Sequence, residues 1–188
     1  MKSVSSIFKA DGELRDSPLF YHSYFIFFID KIWVFQSKRS STMNIMPISE
    51  SQLSDWLALR CLLWPDHEDV HLQEMRQLIT QAHRLQLLAY TDTQQAIAML
   101  EASIRYEYVN GTQTSPVAFL EGIFVLPEYR RSGIATGLVQ QVEIWAKQFA
   151  CTEFASDAAL DNQISHAMHQ ALGFHETERV VYFKKNIG

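Results

Sequence analysis

The chain has 188 residues, 47% of them apolar and 20% charged. That length allows one domain, and the composition excludes disorder and coiled coil. The net charge of −5, from 16 basic and 21 acidic residues, argues against a general nucleic-acid binder and suits a cationic partner. Two cysteines, Cys61 and Cys151, give no disulfide framework and no zinc ribbon. They read as buried free thiols in a reducing cytoplasm.

Residues 1–42 differ from the rest. They hold nine of the 23 aromatics and carry six basic and four acidic side chains, which leaves −7 on residues 43–188. The run Leu19 to Phe35 is interrupted by His22, Asp30 and Lys31, too broken for a membrane span, and it lacks the organisation of a secretory signal. A polar linker, Ser37 to Thr42, then leads to Met43. The expectation is an N-terminal extension over 1–42 that is not native or not part of the fold, and a domain over 43–188. An interfacial aromatic anchor is the other reading of 1–42.

From Met43 the pattern reads as alternating strands and helices. Asn44 to Ile48 is a short strand. Ser49 and Gln52 form a capping box for a helix that keeps its apolar spacing up to Trp64-Pro65, where proline stops it. Asp66 to His83 is an acidic loop and a second helix. Leu85 to Thr91 and Ala96 to Val109 are strands joined by a turn. The stretch Asn110 to Pro116 is rich in turn residues. Val117 to Leu126 is continuously apolar, as a buried central strand should be. A helix from Ile134 to Phe149, a strand from Thr152 to Ser156, a helix from Asn162 to Leu172 and a strand from Val180 to Lys184 complete the order β-α-α-β-β-β-α-β-α-β. The fold class is α/β (α+β), a mixed central sheet flanked by helices.

The strongest chemical signal runs from Leu120 to Ala135. A buried strand ends at Pro127, a basic turn with Gly133 follows, and a helix begins. Turn amides and a helix N-terminus together make an anion site. Arg130 and Arg131 add charge, and Gly133 permits close backbone approach. An ordinary strand–turn–helix with solvated arginines is the plain alternative.

The stretch Arg130-Arg131-Ser132-Gly133-Ile134-Ala135 resembles the acetyl-CoA motif of the GCN5-related N-acetyltransferases. The preceding Ile123-Phe124-Val125-Leu126-Pro127 is similar to that family's strand end. Asn162 opening a helix that Gly173-Phe174 closes is similar to a third family element. The three occur in the family's order over residues 43–188. More narrowly, Trp64-Pro65, Arg105 to Gly111 and Ser115 to Ile123 resemble the aminoglycoside 6′-N-acetyltransferases of the short chromosomal type. That resemblance implies the family fold, transfer of acetyl from acetyl-CoA to the 6′-amine of a cationic aminoglycoside, antibiotic resistance, and a homodimer, with no metal, nucleic acid or membrane partner.

The expected roles follow from the transfer. Backbone amides of Ile123, Phe124 and Val125 would polarise the thioester carbonyl if the strand end splays. Amides from Arg131 through Ser132, Gly133, Ile134, Ala135 and Thr136, with Arg130 beside them, would hold the pyrophosphate. Asn162 would bond the pantetheine or simply cap its helix. Glu121, a charge in an apolar strand, is the expected proton acceptor, directly or through water, or the residue that orients the cationic substrate. The resemblance implies substrate contacts at Trp64, Tyr108, Glu121, Asp157 and Glu178. Trp64 and Tyr108 offer flat faces for rings and cations, or are core aromatics.

In one place the chain departs from the family. His169 stands where many members have a tyrosine that protonates the leaving thiolate, and it is either that acid or a surface residue. His67-Glu68-Asp69-Val70-His71 matches a zinc-hydrolase pattern, but Pro65 and Asp66 put it at a helix start and no clear third ligand follows with metzincin spacing. An acidic substrate-side loop is the preferred reading. Acetylation of another small amine or polyamine, or a non-catalytic acyl-CoA sensor, are the alternative functions.

Overall fold

The computed structural model describes residues 26–29, 32–35 and 43–187. The sheet follows chain order: β1 (Ile26–Ile29), β2 (Ile32–Phe35), β3 (Met43–Pro47), β4 (Arg84–Tyr90), β5 (Ala96–Arg105), β6 (Val117–Val125) and β7 (Phe154–Ser156). Every neighbouring pair is antiparallel except β6 and β7, which are parallel. The expectation that 1–42 stands apart falls mostly outside the described residues. The backbone of β1 and β2 that is described continues the sheet beyond β3, with Trp33 opposite Ile45.

Helices cover both faces. On one side lie α1 (Leu53–Leu63) and α2 (Glu68–Leu78), on the other α3 (Ile134–Lys147). Successive strand residues point to opposite faces, and this alternation builds two cores. Leu88, Met99 and Phe124 pack with Trp56, Leu63 and Met75 of the helix pair. Leu87, Leu100 and Ile123 pack with Leu138 and Val142 of α3. The last helix, α4 (Gln163–Ala171), contributes Met168 to the α3 core. Ahead of α1, the Ser49 amide donates to Gln52 Oε1 at 2.9 Å, so the capping box forms on a short 3-10 turn leading into the helix. Trp64 ends α1 with extended backbone, as the residue before a proline should.

Two expectations are corrected. The strand through Val109 ends at Arg105, so Tyr106 and Tyr108 lie beyond it. The predicted strand Val180 to Lys184 does not form: residues 174–187 have no regular structure. A strand needs a neighbour, and β7 is only three residues long. The His67 to His71 pattern falls at a helix start, as expected: α2 begins at Glu68, with His67 preceding it in extended backbone.

Candidate active site

Beyond Leu120, β6 runs on to Val125 with no strand partner on its β7 side among the described residues, because β7 pairs only with Ala118 to Leu120. The Leu126 amide donates to the Ile97 carbonyl on β5 at 2.9 Å. Antiparallel alternation therefore turns the Phe124 amide toward β5 and the Ile123 and Val125 amides into the gap. Two of the three expected thioester donors face the opening, and Phe124 does not.

The turn after β6 closes on itself. Ser132 Oγ donates to the Tyr129 carbonyl at 2.5 Å, and Arg131 and Gly133 take left-handed backbone, with φ of 60° and 85°. Glycine meets that geometry without a Cβ clash. Gly137 is the first α3 residue to donate back, to Gly133, so the amides of Ile134, Ala135 and Thr136 point out of the helix start. Ile134 buries its side chain in the core and anchors this end. Arg130 is drawn inward: its Nε donates to the Val125 carbonyl at 3.0 Å, and its guanidinium lies 5.9 Å from the Phe124 ring centre. It braces the strand–turn junction, while Arg131 is exposed on the outer side.

On the α1–α2 face the chemistry comes from side chains. Register shifts between Glu101 opposite Gly122 and Ala102 opposite Leu120. Glu121 is thus the extra residue of a bulge, which re-aims a side chain. Its carboxylate accepts from Ser103 Oγ at 2.6 Å, Arg84 Nη1 at 3.1 Å and Arg105 Nη2 at 2.9 Å. Gly122 next to it lets the half-buried Trp64 ring lie flush on the strand, since a Cβ there would sit 2.5 Å from two ring carbons.

A buried polar cluster lies behind Trp64. Glu101 accepts from Trp56 Nε1 at 2.9 Å and from Arg60 Nε at 2.8 Å. Burial pushes the Glu101 carboxyl above its ordinary value, while Arg60 pulls it back. Arg60 also reaches His71 Nδ1 at 2.6 Å and Glu74 at 3.0 Å, and His71 Nε2 lies 2.9 Å from the Trp64 carbonyl. The second histidine of the zinc-like pattern is thus tied to protein groups, the first is exposed, and no group able to hold a metal ion occurs among the described residues.

At the far end of the gap, His169 joins α4 to β7. Its Nδ1 lies 2.7 Å from the Ser165 carbonyl, which only accepts, so that nitrogen carries the proton. Nε2 faces Ser156 Oγ at 2.9 Å. Burial, the largest influence, lowers its basicity below the ordinary histidine value. Held at both ring nitrogens, His169 braces α4 against β7. Asn162 Oδ1 accepts from the Ser165 amide at 3.0 Å, the helix cap. Asp157 is half-buried just after β7, whereas Tyr108, at 77% exposure, and Glu178 lie out on the surface.

Arg84, Ser103 and Arg105 were not anticipated around Glu121. The signal was present in β5, where Glu101, Ser103 and Arg105 recur at every second position within an apolar strand, the period that puts side chains on one face.

Comparison with known proteins agrees with this geometry. The Acetyltransferase (GNAT) family model matches residues 56–174. An aminoglycoside N(6′)-acetyltransferase type 1 of Acinetobacter genomosp. 13 is 82% identical over 146 residues, covering 78% of this chain and all of the relative. The apo crystal structure of the aminoglycoside antibiotic 6′-N-acetyltransferase AAC(6′)-IG from Acinetobacter haemolyticus superposes with a TM-score of 0.75 at 70% identity, covering 77% of this chain and 99% of that one. AAC(6′)-Iy in complex with the bisubstrate analog CoA-S-monomethyl-acetylneamine gives 0.74 at 44% identity, covering 77% and 99%. The chain belongs to the GNAT acetyltransferases and, within them, to the aminoglycoside N(6′)-acetyltransferases of type 1.

Proposed function

We propose that the chain transfers an acetyl group from acetyl-CoA to the 6′-amine of an aminoglycoside, and so confers resistance to it. The observation that carries the reading is the gap beyond Leu120, where the two strand amides open beside the outward amides of the α3 start. Peptide donors fixed in advance suit a pyrophosphate at one end and a developing oxyanion at the other. The amine attacks the thioester carbon, the carbonyl electrons move onto oxygen toward Ile123 and Val125, and collapse expels the CoA thiolate. The amine proton leaves toward Glu121, directly or through water. The −7 on residues 43–188 supports a polycationic substrate. Trp64 and Tyr108 supply ring faces, and Asp157 and Glu178 further acceptors for ammonium groups.

Three finer readings complete the proposal. The enzyme is a homodimer, supported by an apolar tail whose Val181, Tyr182 and Phe183 are 76%, 78% and 94% exposed. Such side chains are covered when a second copy takes them up. It works in the cytoplasm, where acetyl-CoA is met. Its domain starts at Met43, supported by the 146-residue span of the similarity, the length from Met43 to Gly188. The deciding assay follows thiol release from acetyl-CoA with an aminoglycoside bearing a 6′-amine and with its 6′-hydroxyl analogue. Release with the amine alone is expected. Release with neither, while acetyl-CoA still binds, would leave an acyl-CoA sensor or an enzyme for another amine.

A further inference from the structure

Arg60, His71 and Glu101 are 6%, 3% and 5% exposed, and the chemistry above uses none of them. Burying charge is costly unless partners are close, and here the partners come from three elements. Arg60 on α1 gives Nε to Glu101 of β5, Nη2 to Glu74 of α2 and Nη1 to His71 of α2. Arginine only donates, so His71 Nδ1 must accept. The Trp64 carbonyl only accepts, so His71 Nε2 must donate. The two neighbours therefore fix one neutral tautomer, and the imidazole becomes a one-way link from the buried guanidinium to the backbone of Trp64. The same guanidinium lies 5.1 Å from the Trp64 ring centre, and the far edge of that ring rests against Gly122, next to Glu121.

We infer that His71 is a positioning residue for substrate binding: through the Trp64 carbonyl it holds the tryptophan ring at the height on β6 where an aminoglycoside ring meets it beside Glu121. The inference rests on Trp64 being a substrate contact. It also accounts for an otherwise unexplained histidine in the first turn of α2. Trp64 closes α1 with extended backbone and Pro65 follows, so helix bonding continues no further there, and His71 supplies the tie at its carbonyl.

Two short substitutions separate the halves of the link. His71→Asn keeps an acceptor near Arg60 but is too short to reach the Trp64 carbonyl. His71→Gln spans both, its carbonyl oxygen toward Arg60 and its amide toward Trp64. With His71→Asn, KM for a 6′-amino aminoglycoside rises about tenfold, while KM for acetyl-CoA and kcat at saturation stay within twofold. With His71→Gln, most of the loss is restored. In a Trp64→Leu background the Asn change adds nothing further, because the contact it positions is gone. Equal KM values for Asn and Gln, or parallel losses in acetyl-CoA KM and kcat, would overturn the positioning role and leave His71 a packing residue. An unchanged aminoglycoside KM in Trp64→Leu alone would instead overturn the reading of Trp64 on which the inference rests.

Discussion

The two sides of the opening are built from different materials. The α3 side is backbone: strand amides at Ile123 and Val125, the left-handed Gly133, and the unpaired amides of a helix start. The α1–α2 side is side chains: Glu121 between Arg84 and Arg105, Trp64 on Gly122, and a buried arginine with its carboxylates. A backbone cradle depends on local geometry and can be written in a few consecutive residues. A side-chain site depends on pairings between distant elements, and each member is exposed to loss by one substitution.

That contrast is broken most severely at Arg60. Arg60→Met leaves the buried Glu101 without its cation, which costs about 3–5 kcal/mol. For a domain of this size that lowers Tm by on the order of 10 °C, readable by thermal unfolding. No substitution of the exposed Arg131 should approach this. Glu121→Gln is next. It removes the proposed acceptor of the amine proton and leaves Arg84 and Arg105 facing a cationic substrate, so kcat/KM falls about 10²-fold, while binding of CoA, followed by calorimetry, stays within twofold. The smallest effect belongs to His169, the cross-brace at the end of the gap. Its folded value lies below the ordinary histidine value, so below about pH 6.5 the unfolded chain binds more protons than the native one. The brace contributes fully above that pH, and stability declines as pH falls toward the folded value. His169→Asn should flatten that acid decline in denaturant titrations run from pH 7 to pH 5, and an unchanged decline would contradict a lowered basicity of the half-buried ring.

The same contrast explains what the sequence made legible. Strand end, turn and helix start lie within Leu120 to Thr136, so the cradle was readable as one segment. Only the alternation that removes the Phe124 amide needed the pairing with Ile97. Glu121 stood out as a charge in an apolar strand, but its bulge arises from register against β5, and its arginines lie 37 and 16 residues away in sequence. His67 and His71 look like metal ligands at helical spacing. The helix begins between them, and His71 meets an arginine across α1 instead. The strand expected over Val180 to Lys184 had the right composition and found no pairing partner among the described residues.

The division of labour is tested most directly by measuring both Michaelis constants in two glycine variants. In Gly122→Ala the new methyl meets the Trp64 ring at 2.5 Å and pushes it off β6. In Gly133→Ala the methyl has open space but must hold a φ of 85°, at a cost of about 1–2 kcal/mol. The account predicts a crossed result: Gly122→Ala raises KM for the aminoglycoside about tenfold and leaves that for acetyl-CoA unchanged, and Gly133→Ala does the reverse. Both constants rising together in either variant would contradict a backbone-built acetyl-CoA side that is separable from a side-chain-built substrate side.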